Sequence, residues 1–220
     1  MVRGAFSLLE FIFALVIIGF ALLSIPNIFT QSSQAIQETI KQEAVFQGFR
    51  TISAILTYRW DEKSVVGSDD NRSYILDVTN GDDELNRTAT QTRKGHFNTK
   101  RRTFFDTTTY ATTSLGLEPG ETTQDDIDDF NNNQDTITLT PGERLLSTTL
   151  KQKVYYISDS ADYSATSLSL KIDTSSATPS TNIKMIQVTI TDDKNTTIAL
   201  LRAFTCNIGE PTQLDPKQVP

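Results

Sequence analysis

The first quarter of the chain is dominated by a long apolar run. Residues 11–37 contain no charged side chain, and residues 11–25 are almost wholly apolar. A helix needs about 20 apolar residues to cross a bilayer, and together with residues 6–9 this run approaches that length. The pattern therefore predicts one membrane-spanning helix near the N-terminus.

After this run, apolar residues recur at helical spacing. They fall three to five positions apart, at Ile36, Ile40, Ala44, Phe49, Ile52, Leu56 and Trp60. Such spacing, with polar residues between the apolar ones, is typical of an amphipathic helix. We therefore predict one helix over residues 6–60, with its first half in lipid and its second half packed on a globular domain of residues 61–220. Pro26 and Gly48 are its weak points.

Later in the chain, apolar residues alternate with polar ones, which is a period of two and not the helical spacing. It predicts strands at residues 73–78, 153–158, 168–172, 186–190 and 198–204, with a hairpin turn at 192–195. In the last strand, Ile198, Leu200 and Phe204 are expected to share the apolar face. Residues 85–148 show neither period clearly, and we expect a second sheet portion or long loops there. The expected fold class is α+β, with the long N-terminal helix packed on an antiparallel sheet.

Composition and charge exclude several classes of protein. The 220 residues allow one globular domain with an appendage, while 10 Gly and one Cys exclude collagen-like and disulfide-rich chains. A net charge of −7 argues against a protein dedicated to nucleic acid. With a single His, no catalytic constellation can be assembled, so we expect no enzymatic activity. Cys206 is expected to be a small buried apolar residue.

Two charged residues stand at the start of the apolar run. Arg3 precedes it, and no Lys or Arg follows it closely, which predicts a cytoplasmic N-terminus and an exported C-terminal domain. Glu10 lies at the front of the run, where a carboxylate is costly unless it has a partner. An ordinary secretory signal has no use for such a residue, although a cleaved signal peptide stays an alternative.

Residues 4–10, Gly-Ala-Phe-Ser-Leu-Leu-Glu, together with the apolar run resemble the class III leader and N-terminal helix of type IV pilins and type II secretion pseudopilins. In that family a prepilin peptidase cuts a short basic leader before a Phe, whose new amine is methylated, and the fifth mature residue is Glu. The resemblance implies a leader of residues 1–5, cleavage between Ala5 and Phe6, and Glu10 as the assembly residue.

Cleavage between Gly4 and Ala5 is the alternative, because the family usually carries Gly immediately before the cut. In filaments of the family, the Glu is thought to face the N-terminal amine of a neighbour, so Glu10 would pair with the Phe6 amine of the next subunit. A buried carboxylate and ammonium are each prohibitive alone and tolerable together. Their pairing would fix the axial register of a filament.

The resemblance implies a non-enzymatic, pilin-like structural subunit, more specifically a minor pilin or a pseudopilin. It would sit in the inner membrane with its N-terminus cytoplasmic and its β-rich domain periplasmic, and then enter a pilus or pseudopilus. Implied partners are other pilin or pseudopilin subunits, the prepilin peptidase and an inner-membrane assembly platform. The alternatives are a single-pass anchored periplasmic binding module that does not polymerise, and a minor pilin for DNA uptake.

Three Asn-x-Ser/Thr sequences suggest exposed, exported loops. Their asparagines are Asn71, Asn86 and Asn195, and each has an acidic residue two positions earlier. This arrangement resembles the extended acidic sequon of bacterial N-glycosylation systems. The alternative is that acid-rich polar turns produce such sequences without modification.

Two charged segments allow further interpretations. Basic residues with interleaved aromatics form a candidate nucleic-acid contact at Arg93, Lys94, Lys100, Arg101 and Arg102. The favoured alternative is a solvated hairpin that balances the acidic remainder. A second segment offers carboxylates for calcium at Asp125, Asp126, Asp128 and Asp129. Because their spacing does not match the twelve-residue calcium loop, we favour a disordered acidic loop and expect no cofactor, with calcium as the alternative.

Overall fold

The computed structural model describes residues 7–65, 73–94, 102–138, 147–169 and 171–209. The chain divides into two compact units, Met1–Glu43 and Ala44–Pro220. One long helix, α1, spans Leu8–Ile55, so its last turns belong to the second unit. The strands are β1 (Gln134–Ile137), β2 (Thr148–Ile157), β3 (Ile183–Thr191) and β4 (Thr197–Cys206). The fold is therefore α+β.

The four strands form an antiparallel sheet in the order β1-β2-β3-β4. β2 and β3 pair from Thr149 opposite Thr191 to Ile157 opposite Ile183. The predicted turn between the last two strands is confirmed, because the Asn195 N–H donates to the Asp192 carbonyl over 3.1 Å. Asn195 has φ +61°, a left-handed conformation that Asn tolerates better than most residues.

The main core of the second unit joins the last turns of α1 to one face of the sheet. Its buried members are Ala44, Ile52, Ile55, Ile127, Leu150, Val154, Ile186, Val188 and Ile190. A Cβ on Gly48 would lie 2.8 Å from Ile190 Cδ1 and 3.0 Å from a Leu201 methyl. Gly48 therefore marks the close approach of helix and sheet, in addition to being a weak point in the helix.

The predicted helix is too long at its C-terminus, and its buried face is partly wrong. The helix ends at Ile55, where the Thr57 and Tyr58 N–H groups bond to carbonyls three residues back and tighten the last turn. Ile55 is buried, whereas Phe49 and Leu56 are exposed. The positions facing the sheet are 44, 48, 52 and 55, a stricter helical stripe than the sequence alone suggested.

The predicted strands are confirmed at 153–158, 186–190 and 198–204, and wrong at two other places. Residues 73–78 make only isolated bridges, from Ile75 to Phe104 and from Asp77 to Tyr110. The described residues of 168–172 lie outside the sheet, and Leu168 is exposed. β1 lies instead in the segment that the sequence left unassigned.

The predicted inward face of β4 is confirmed at Ile198, which packs on the core, and is reversed after it. Leu201 and Ala203 pack on the core, whereas Leu200 and Phe204 are exposed. A bulge explains the change, because Thr191 pairs with Thr197 but Ile190 pairs with Ala199. One extra residue in a strand moves every later side chain to the other face of the sheet.

Candidate functional site

The first unit exposes an almost continuous apolar surface. Large side chains along residues 8–29 face outward, with Leu8 79%, Phe20 71% and Phe29 72% exposed. Monomeric soluble proteins rarely expose a contiguous apolar patch of this kind. By length and composition, α1 contains a stretch that is able to cross a membrane. This surface therefore needs lipid or other protein to cover it.

Glu10 caps the N-terminus of α1. The Ser7 N–H donates to Glu10 Oε2 over 3.0 Å, and the Leu9 N–H donates to Ser7 Oγ over 3.2 Å. These reciprocal bonds form a capping box, which satisfies helix N–H groups that have no intrahelical partner. This role was not predicted from the sequence, although the Ser-x-x-Glu spacing before an apolar run is its signature. The cleavage residues Gly4, Ala5 and Phe6 lie outside the described residues.

Exposed apolar side chains continue along α1 into the second unit. Val45, Phe46 and Phe49 are 47%, 68% and 62% exposed. They lie on the helix face that the sheet leaves uncovered, because Ala44, Ile52 and Ile55 occupy the covered face. The domain thus presents an apolar helix face of its own.

Two of the three sequon asparagines lie on the described surface. Asn195 is exposed at the β3–β4 turn. Asn86 is exposed after a short 3₁₀ helix, and its Nδ2 donates to Asp83 Oδ1 over 3.1 Å. Asn71 lies outside the described residues. Both described side chains are at the surface, and their glycosylation stays a prediction.

The basic segment does not form one free patch. Arg93 lies inside the fold, where it donates to the Leu85 carbonyl and, over 2.6 Å, to Asn182 Oδ1, and burial lowers its pKa. Phe104, which could have stacked on a base, is buried beneath Arg93. Lys94 and Arg102 are exposed. Lys100 and Arg101 lie outside the described residues.

The acidic segment is folded and largely buried, so the prediction of a disordered loop is wrong. Asp126 Oδ2 accepts the Glu62 N–H over 2.7 Å, and its Oδ1 accepts the Asp128 N–H over 2.8 Å. Asp129 Oδ2 accepts the Asp125 N–H over 2.8 Å. Buried carboxylates are tolerated when backbone N–H groups solvate them in this way. The predicted calcium ligands therefore serve first as anchors of their own loop.

A buried lysine explains why this acidic loop folds inward. Lys184 on β3 and Asp128 are both fully buried, with Lys184 Nζ 2.5 Å from Asp128 Oδ1 and 3.6 Å from Asp61 Oδ2. Nζ also donates to the Trp60 carbonyl over 2.5 Å and lies 4.3 Å from the Trp60 ring. The Tyr156 ring is 5.6 Å away. We call Lys184, Asp61, Asp126 and Asp128 the lysine–aspartate centre.

Burial is the main influence on the acids of this centre. Burial and, after it, the neighbouring Asp128 carboxyl together raise the pKa of Asp126 to about 8. Burial also raises the pKa of Asp128, while Lys184 opposes that change. Asp126 therefore holds a proton near neutral pH.

A second group of carboxylates lies beside the centre. Oxygens of Glu62, Glu118 and Glu121 come within 4.8 Å of one another and are half-buried. Burial and a hydrogen bond with Glu121 raise the pKa of Glu118 to about 8. These three residues, rather than the predicted aspartates, are the described carboxylates arranged to share a cation. Calcium binding stays the alternative to the prediction of no cofactor.

Lys184, Asp61 and Tyr156 were not predicted from the sequence as members of a site. The available indication was the alternation of β3, because Lys184 lies two positions before Ile186 on the predicted inward face. A lysine at a core position needs a buried acid, and the acidic segment offers several. Comparison of the chain with protein-family models, with curated proteins and with solved structures finds no match.

Proposed function

We propose that this protein is a structural subunit of a type IV pilus-like or type II secretion-like filament, anchored in the inner membrane before assembly. The observation that carries the proposal is the outward-facing apolar surface of α1 over residues 11–29, which carries no charged side chain. In a bilayer, lipid covers this surface, and in a filament the helices of neighbouring subunits cover it. Both states remove the same apolar area from water.

Three further features support assembly rather than simple anchoring. The segment at residues 4–10 resembles a prepilin cleavage site. Glu10 stands where the resemblance implies an assembly residue. Val45, Phe46 and Phe49 extend the apolar helix face beyond the membrane segment, where lipid does not reach but a neighbouring subunit does. An anchored binding module has no need of this last surface.

The N-terminus of the purified protein tests the proposal. Expressed with an active prepilin peptidase, the chain should lose residues 1–5 and carry a methylated Phe6, as read by mass spectrometry of the N-terminal peptide. The matched control is the same strain with an inactive peptidase, in which residues 1–5 should remain. Loss of Gly4 with retention of Ala5 would select the alternative cleavage position.

Two outcomes would overturn the proposal. An intact N-terminus in the presence of the active peptidase would favour a single-pass anchored module. Removal of the first two dozen residues by ordinary signal peptidase would leave an exported domain that does not polymerise through its N-terminal helix.

A further inference from the structure

The lysine–aspartate centre brings an amine and a carboxyl together where water is excluded. Lys184 Nζ lies 2.5 Å from Asp128 Oδ1, and both side chains are 0% exposed. The Trp60 carbonyl accepts a hydrogen bond from the same Nζ, which holds the amine in one orientation. Efficient intramolecular reactions need their reacting atoms about 3–3.5 Å apart and aligned. Nζ therefore lies beside the carboxyl group whose carbon, Cγ, it would attack.

Protein groups, and not water, enclose this pair. The Trp60 and Tyr156 rings line the amine, and Asp61 is the only other carboxylate among the described residues to lie within 4 Å of Nζ. Both Asp61 oxygens already accept backbone N–H groups, from Lys63 and Thr112. Amide formation requires a neutral amine and a carboxylic acid, which one proton transfer across the Lys184–Asp128 contact would supply.

A proton donor stands beside the carboxyl. Asp128 Oδ2 is buried and has no hydrogen-bond partner among the described groups. Asp126 is itself fully buried and fixed by three backbone N–H groups, those of Glu62, Asp128 and Asp129. The Asp128 N–H is one of these donors, so the Asp126 carboxyl lies beside Asp128.

We propose that Lys184 and Asp128 join in an intramolecular amide bond, formed with Asp126 as the proton donor and acceptor. The Nζ lone pair attacks Asp128 Cγ, and the bond from Cγ to its hydroxyl oxygen breaks. That oxygen takes the proton of Asp126 and departs as water, while the amine gives one proton back to Asp126. Amine and carboxylic acid thus become amide and water, with Asp126 regenerated and no other reactant consumed.

This bond would tie β3 to the acidic loop. The two residues are 56 positions apart in the chain, and the single Cys excludes an internal disulfide. An amide would therefore supply the covalent constraint that exported proteins of this size often obtain from disulfides. The inference does not depend on the proposed filament function.

Peptide mapping of the purified full chain in detergent tests the proposal. Trypsin does not cleave after an acylated lysine, so one branched species should join residues 103–144 to residues 172–194, at a combined mass lower by one water. This readout is independent of how the N-terminus is processed. Cleavage after Lys184, with both peptides found at their unmodified masses, would overturn the proposal. A branch to residues 60–63 would reassign the bond to Asp61.

Two variants control the experiment. Lys184→Arg keeps the positive charge but has no attacking amine, so the branched species should be absent. Asp126→Asn keeps the shape of the side chain but removes the proton donor, and amide formation should slow by about 10²–10⁴-fold. Full cross-linking of Asp126→Asn at the wild-type rate would remove Asp126 from the mechanism. The wild-type map decides the main question even if either variant fails to fold.

Discussion

Glu10 has two possible partners, and both are physically reasonable. In the single chain its carboxylate accepts the Ser7 N–H and caps α1. In a filament the same carboxylate would also face the Phe6 amine of a neighbour. A cap needs only an acceptor oxygen, whereas the pairing between subunits needs a negative charge. The two roles can therefore be separated by substitution.

Glu10→Gln and Glu10→Ala should separate them. Gln keeps an acceptor at this capping position but carries no charge, while Ala removes both. We expect both variants to insert in the membrane and both to lose most of their incorporation into filaments, measured as the fraction of subunit recovered in sheared or pelleted fibres. Wild-type incorporation of Glu10→Gln, with loss only for Glu10→Ala, would mean that the cap is what matters.

Asp126 should make the stability of the domain depend on pH. The pKa of Asp126 is raised to about 8 in the folded chain, against about 4 for an unperturbed Asp. Between these values the folded state keeps a proton that the unfolded state has released. The free energy of unfolding therefore falls as pH rises, by at most about 1.4 kcal/mol per pH unit for this one group.

Asp126→Asn is the matched comparison, because Asn is neutral at every pH in this range. Chemical denaturation at pH 5 and at pH 8 should show that the wild-type chain loses more stability between them than the variant does. Burial is the main cause of the raised pKa, so the expectation holds with or without an amide at Asp128. Equal losses for the two chains would show that Asp126 does not titrate in this window.

At the level of the element, α1 carries two apolar faces with different tasks. Ile52 is 6% exposed in the core beneath the sheet, whereas Phe49, three residues earlier, is 62% exposed. Removing a buried Ile side chain leaves a cavity, while truncating an exposed Phe does not. The faces therefore predict opposite phenotypes.

Ile52→Ala should lower the free energy of unfolding by about 2–5 kcal/mol, measured by chemical denaturation. Phe49→Ala should change that free energy by no more than about 0.5 kcal/mol, yet reduce recovery of the subunit in filaments. A large stability loss for Phe49→Ala would place that side chain in the domain core. Unchanged filament recovery would show that this helix face is not an assembly surface.

The elements also show what a single sequence can and cannot predict. The apolar run, the long helix and three of the four strands were predictable, because the spacing of apolar residues along the chain indicates each of them. The inward face of β4 was not, because one bulged residue at Ile198 reverses the alternation for the rest of the strand. β1 was missed because its four residues are mostly exposed and carry no apolar alternation.

For the whole molecule, charge distribution was the part hardest to predict. The sequence shows an acidic segment and isolated lysines, and local reasoning assigns both to solvent. Only the folded arrangement places Lys184 against Asp128 and Asp61, which lie 56 and more than 100 positions away. Pairings this distant depend on tertiary structure, and no spacing rule within one segment detects them.

The lysine–aspartate centre also connects segments of the second unit that are distant in sequence. It joins the segment after α1, the acidic loop and β3, three parts that are remote in sequence. An amide across Lys184 and Asp128 would close a loop of 56 residues. By the chain-entropy treatment used for cross-links, such a closure destabilises the unfolded state by about 4 kcal/mol.

The position of Trp60 has a practical consequence. The chain contains one Trp, and its ring lies 4.3 Å from Lys184 Nζ. Indole emission shifts with the electric field around the ring. The tryptophan fluorescence of this protein therefore reports on Lys184, whose amine would lose its charge if it formed the amide. Without any attached dye, a fluorimeter can follow that region of the domain in real time, during refolding or after a change of solvent.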